Sequence, residues 1–356
     1  MSDSSLNSPV IGISGRLVLP DLLKGVAVLL MIQVHLTELF ANQEFYDSFL
    51  GKVSLFFGGP PAAPVFMAVM GYFIAKSLSG TWQGVMRGFK LILYGFLLNC
   101  GLNLNLFYHI FKGELSIDPL PYVFGVDILF LAGISVIIIS LLRPFLRNSL
   151  LGWLFIVIIA ASARLFIPAI AVNDPWVTYL MAYISSEAWW SYFPLFPWLA
   201  YPLAGYCFYL IYDKYSGAEI PKSKLLITGM ALLLVLTFTI QYGFNITTDL
   251  QRYYHHSITY FLWALLFLGL WIISFYLIQK ALANNPVFTY LQWVGRNVTA
   301  FYVVQWLIIG NLATAIYKTV PAGFLLLWFL GVMIVTTIIV WLYKRVPVKS
   351  KNIKLK

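Results

Sequence analysis

Four ionisable residues stand in an apolar stretch long enough to cross a membrane: Asp21, Lys24, His35 and Glu38, within residues 20–40. An ionisable group at mid-bilayer costs about 2.5–3.5 kcal/mol on insertion scales, so such groups mark pairing, proton transfer or the passage of a polar solute. A helix turns about 100° per residue, and eleven residues bring His35 to within about 20° of the face carrying Lys24. Asp21, Lys24, Val28, Met31, His35 and Glu38 therefore form one stripe, which must face protein or water rather than lipid. With about 1.5 Å of rise per residue, His35 lies roughly 16 Å beyond Lys24. Other features come to the depth of His35. The next apolar stretch is interrupted by Gly58-Gly59-Pro60-Pro61, with Pro64 a turn later, which predicts a broken helix. Asp127 and Arg164 lie at matched depths in two later stretches and are expected to pair, while His109 and His255-His256 fall in nearby loops. Each feature also has a plain structural use. Asp21 and Lys24 can pair at a helix end, His35 can bond a neighbouring helix, Asp127 and Arg164 can be purely structural, and a Gly-Pro break can be a kink. Their common depth is what points to a polar site near one membrane face.

The elements that must hold these residues follow from composition. The chain has 356 residues, 61% hydrophobic and 10% charged, against about 25% charged in soluble proteins. That excludes an ordinary soluble enzyme, and the apolar content excludes a disordered chain. A span needs about 20 apolar residues. Seven charge-free intervals qualify (53–75, 91–111, 188–212, 225–248, 253–279, 297–317 and 319–343), and 20–40, 122–142 and 149–172 qualify with ionisable residues inside. The expectation is an all-α polytopic transmembrane helix bundle of about ten helices: an N-terminal tail over 1–19, a spanning domain over 20–343 and a basic tail over 344–356. With the amino terminus inside, inner segments hold 17 of the 23 Lys and Arg, outer loops hold Lys52, Lys112, Arg252 and Lys318, and Lys24 and Arg164 lie within spans. Both termini are therefore expected in the cytoplasm, as in a bacterial inner (plasma) membrane protein, and the first helix is read as retained rather than cleaved. The net charge of +10 is then topology and attraction to the lipid surface rather than a nucleic-acid footprint. Trp189, Trp190 and Tyr192 read as an interfacial aromatic belt. Cys100 and Cys207 sit in apolar runs and give neither a disulfide framework nor a metal-ligand spacing.

Taken together, these residues resemble the membrane-embedded acyltransferases, most closely the heparan-α-glucosaminide N-acetyltransferase-like family, with the acyltransferase type 3 family behind it. The opening Asp21-Leu-Leu-Lys24-Gly25-Val-Ala27, on a helix that reaches His35, resembles their first-helix signature. Pro64-Val-Phe66-Met-Ala-Val-Met-Gly71 is similar to the second-helix block, and Phe196-Pro197-Trp198 and Gly295-Arg296-Asn297 with Tyr302 are similar to later blocks. Lys24 stands where the type 3 family has arginine, which forfeits the planar fork suited to carboxylate or phosphate. The resemblance implies transfer of an acyl group, most simply acetyl, from cytoplasmic acyl-CoA to a saccharide or glycolipid acceptor at the outer side, with acyl-CoA as co-substrate and no tightly bound cofactor. It implies His35 as general base with Glu38 beside it, and His109 as a rival. Lys24, Arg87 and Lys90 are the expected donor-binding residues, from an inner basic set that also holds Lys76, Arg143 and Arg147 and that follows equally from topology; Asp21, Asp127 and Arg164 are the supporting charges. The alternative is a secondary transporter of a small polar or anionic solute, because broken helices and buried charges mark those too. Against it, a five-plus-five division pairs the broken second span with a seventh that has no proline over 225–243.

Overall fold

The computed structural model describes residues 18–167, 174–215, 221–282 and 285–345. Most of both terminal tails, with Arg16, lies outside the described residues. No β-strand occurs among those described; the strand-like pairings are two isolated bridges, Ala41 with Val320 and Val126 with Ser191. Nine helices among the described residues are long and apolar enough to cross a bilayer. In chain order the elements are α1 (Val18–Leu39), the broken pair α2 (Phe49–Gly58) and α3 (Ala63–Lys76), α4 (Thr81–Leu102), α5 (Ile128–Leu146), α6 (Leu150–Ser162), α7 (Ala200–Lys214), α8 (Lys222–Thr247), α9 (Ile258–Ala281), α10 (Pro286–Arg296), α11 (Val298–Ile316) and α12 (Ala322–Arg345). A short turn of helix, Leu195–Trp198, leads into α7.

Three of the boundaries that differ from those expected bear on the site, each for a physical reason. The third span starts at Thr81 rather than 91, so Arg87 and Lys90 lie on α4, both exposed. Long basic side chains can leave their stems on an apolar helix while the heads reach water, so a count of charge-free residues cuts such a helix short. The stretch 149–172 forms only α6 and a 3-10 turn, Ala163–Leu165. Sixteen residues at 1.5 Å reach about 24 Å, short of the roughly 30 Å hydrocarbon core. Its two ends nevertheless meet opposite ends of the bundle: Trp153 donates to the Arg147 carbonyl at 3.0 Å, and Arg164 donates to the His255 carbonyl. Finally, Asp127 is not inside the fourth span but caps it, its carboxylate accepting from the Ile128 N–H at 2.5 Å. Aspartate is a preferred helix start because it satisfies an amide that the helix leaves open.

Small residues set the closest crossings. A Cβ on Gly25 would lie 1.9 Å from the Leu291 carbonyl oxygen, and one on Gly295 1.7 Å from that of Asp21, so α1 and α10 touch backbone to backbone. Close approach of this kind is the usual basis of helix association where lipid removes the hydrophobic drive. The break expected at Gly58–Pro61 is present: α2 ends at Gly58, and α3 resumes at Ala63 without a side-chain cap. Gly58 packs on Val34, where a Cβ would come 2.2 Å from that side chain, so the break lies beside His35.

Candidate active site

His35 and Glu38 emerge on α1 toward α11. The His35 ring lies against Trp306, centroids 4.0 Å apart and planes tilted by 35°. The polar side chain facing it is Gln305, which is wholly buried. By strict geometry neither amide atom of Gln305 nor Nδ1 of His35 completes a hydrogen bond, although the two side chains stand as hydrogen-bond neighbours. An unmet buried polar group costs about 1–3 kcal/mol, and these polar atoms lie together where α1 meets α11. A different face of α1 is clamped to α2: Gln33 donates to the Ser54 carbonyl at 3.0 Å, Ser54 donates to the Gln33 amide oxygen at 2.5 Å, and the Thr37 and Ser54 hydroxyls are 2.6 Å apart. That clamp fixes the rotation of α1 and hence the aim of His35.

One turn beyond His35, Glu38 lies within electrostatic reach of Lys318, Tyr46 and Tyr254. The turn between α11 and α12 is tied to the end of α1 by backbone bonds from Lys318 to Leu39, Val320 to Phe40 and Asn42 to Val320, at 2.9, 2.8 and 2.8 Å. Lys318 takes the left-handed conformation, φ 53°, that this tie requires, a cost tolerated where the surroundings over-determine it. Its ammonium bonds Gln43 at 3.2 Å and lies 4.3 Å from the Tyr46 ring centre.

Asp127 completes the far side. Tyr302 donates to its Oδ1 at 2.5 Å, and Oδ2 is buried without a hydrogen bond. Outside its span, and buried, the Asp127 carboxyl is pushed up to about 6 in spite of the bonds from Tyr302 and Ile128. Tyr302, Gln305 and Trp306 stand at i, i+3 and i+4 on one face of α11, so the second wall of the site is a stripe on that helix. Of these the sequence reading names only Tyr302. The spacing was there to be seen, but neutral amides and indoles do not register when charges are counted.

The expected Asp127–Arg164 pair does not form among the described residues, because each has partners of its own. Arg164 donates to the His255 carbonyl and to Glu187 at 2.5 Å, in the loops at the far end. Matched depth fixed their level in the membrane but not the helix each faces. His256, in an outer loop by the sequence, is buried: Nδ1 donates to the Tyr253 carbonyl at 2.7 Å, and Nε2 faces the Tyr201 hydroxyl at 3.1 Å. Burial pushes His256 down to about 3, and burial with Arg164 alongside pushes His255 down to about 4. His109 pairs with Glu114 at the exposed surface, away from His35.

At the other end of the bundle, Lys24 pairs with Asp21 at 2.8 Å and lies over the Phe73 ring, the plain i,i+3 reading. Arg87 and Lys90 do not join them. A cavity of about 200 Å³ opens at this end instead, lined by Ile74, Ser79, Gly80, Thr81, Ser140, Arg143 and Pro144. Helix α4 begins there on Gly80 without a side-chain cap, so its first amides and Arg143 offer positive charge and donors to an anion. No three of His, Cys, Asp and Glu among the described residues come together as metal ligands.

A family model described as heparan-alpha-glucosaminide N-acetyltransferase, catalytic, matches residues 16–226. Comparison with curated proteins and with solved structures finds no match. The matched segment contains His35, Glu38, Asp127 and the Arg143 cavity, whereas the α11 wall lies beyond it.

Proposed function

The chain belongs to the heparan-alpha-glucosaminide N-acetyltransferase catalytic family, and on that premise we propose that it carries an acetyl group from acetyl-CoA at the basic end of the bundle to a saccharide acceptor at the opposite end. The observation that carries this reading is the seat of His35: a histidine inside a membrane helix, clamped by Trp306, beside a broken helix and facing unpartnered polar atoms of a neighbouring helix. His35 acts as general base. The acceptor's amine or hydroxyl attacks the thioester carbonyl carbon and gives its proton to the imidazole. The carbon–sulfur bond breaks, and the departing thiolate takes that proton from the imidazolium. Glu38, with Lys318 and the tyrosines around it, forms the polar mouth through which an acceptor reaches the base.

Within the inner basic set, the donor's phosphates fit the Arg143 cavity better than Lys24, Arg87 and Lys90. Arg143, the Ser79 and Thr81 hydroxyls and the uncapped start of α4 line one concavity, while Arg87 and Lys90 are exposed on α4. With both termini and this cavity on the cytoplasmic side, acetyl-CoA enters from where it is made.

The test is acetyl transfer from acetyl-CoA to glucosamine by the full-length protein in lipid nanodiscs, compared at equal folded amounts. His35→Ala is expected to lower turnover by about 10²–10⁴, the usual loss on removing a general base, with acetyl-CoA binding retained. Arg143→Gln is expected to raise the KM for acetyl-CoA and leave kcat near that of the parent. Near-normal turnover in His35→Ala would return the histidine to a packing role.

A further inference from the structure

Gln305 is the one wholly buried amide at the middle of α11, three residues after Tyr302 and next to Trp306, which clamps the His35 ring. Its Oε1 and Nε2 and the Nδ1 of His35 are all buried and short of a full hydrogen bond by strict geometry, and the two side chains stand as hydrogen-bond neighbours. Trp306 covers one face of the imidazole and limits its turning, whereas the terminal torsion of a glutamine is broad and turns cheaply. A neutral imidazole carries its proton on one nitrogen only, and the hydrogen bond made by that nitrogen decides which one is left free to act. A carboxylate would do this with a charge; an amide does it without adding one to the bilayer interior.

We infer that Gln305 is a positioning residue whose amide oxygen accepts the Nδ1 proton of His35, leaving Nε2 bare to take the proton of the acceptor. The inference rests on the reading of His35 as general base. In the transfer step the acceptor's nitrogen or oxygen bonds to the thioester carbon as the carbon–sulfur bond breaks. The acceptor's proton passes to Nε2 and then to the thiolate, and Gln305 gains and loses nothing. Its amide oxygen keeps the Nδ1 proton in place while the ring is charged. Gln305 lies outside residues 16–226, the segment matched by the family model, so this half of the site belongs to the α11 wall.

The chain has four histidines, few enough for the tautomer of each to be read by nitrogen NMR on full-length protein labelled with ¹⁵N-histidine in nanodiscs. The His35 signals are identified by their loss in His35→Asn. The signature of His256, fixed by the Tyr253 carbonyl and the Tyr201 hydroxyl, reports that a variant is folded. The wild type is expected to show His35 protonated at Nδ1. Gln305→Leu is expected to lose that preference and to lower kcat by about 10²-fold, the scale of a small misplacement of a reacting group, at unchanged KM for acetyl-CoA. Gln305→Glu, which keeps an acceptor oxygen, is expected to keep the Nδ1–H form. If Gln305→Leu loses the His256 signature, Gln305→Met takes its place. An Nδ1–H tautomer that persists in a folded apolar variant would overturn the inference. Turnover that survives in His35→Ala would instead sink the general-base reading, while the tautomer still decides what Gln305 does.

Discussion

Tyr302 and Asp127 are 175 residues apart in sequence and share a 2.5 Å hydrogen bond at the head of α5. Tyr302→Phe removes the donor and leaves Asp127 Oδ1 with the Ile128 amide alone. Bonds to charged groups are worth about 1.5–3 kcal/mol, so the variant should be destabilised by that order in a reversible unfolding titration. Adding Asp127→Asn should then cost less than it does in the wild type, because the two residues act as one unit. Strictly additive losses would mean that the bond contributes little. The pair also shows what a sequence yields at this scale. A carboxylate in an apolar segment announces itself, but its partner, a neutral tyrosine on another helix, does not. At matched depth the nearest visible charge is Arg164, whereas the fold supplies Tyr302. His35 and Glu38 were legible for the same reason that Gln305 was not: burying a charge is costly enough to stand out, and burying an amide is not.

Helix contacts carry the next set of effects. Gly295 meets α1 where a Cβ would sit 1.7 Å from the Asp21 carbonyl oxygen, whereas Gly323 has open space around it. Gly295→Ala should force α10 and α1 apart and cost about 1–3 kcal/mol, as overpacking does. Gly323→Ala should be nearly neutral, and equal melting temperatures for the two would refute the close crossing. The loop before α9 adds a pH effect. Its buried His255 titrates near 4 when folded, against 6.5 when exposed. As pH falls through that window the unfolded chain takes up a proton that the folded chain refuses, so stability is full above pH 6.5 and declines toward pH 4. His255→Asn should lessen that decline in melting temperature, His256 next to it contributing the remainder. A slope equal to the wild type's would show that His255 exchanges its proton freely in the fold. At this scale the break in the second span was readable, because two prolines and two glycines leave a helix no alternative. The length of α6 was not, because a run of apolar residues says where lipid is tolerated and not where the backbone stops turning.

For the molecule as a whole, a reporter active only in the cytoplasm and fused after Lys356 should work, since 17 of the 23 Lys and Arg fall on one side of the expected topology. An outward-facing carboxyl terminus would reverse the donor and acceptor ends assigned here. The all-helical membrane class, the broken second span and the polar stripe on α1 were determined by sequence alone. Each follows from a local rule: hydrocarbon excludes charge, proline breaks a helix, and a 3.6-residue period sets a face. Only the tertiary structure decided which stripe meets which. That α11 closes over His35, that Arg143 lines the basic cavity, and that three backbone bonds tie the Lys318 turn to the end of α1 within electrostatic reach of Glu38 depend on the packing of helices far apart in the chain. Apolar faces are interchangeable to a lipid, so hydropathy cannot choose among them; shape can, through close crossings such as that of Gly25 and Gly295.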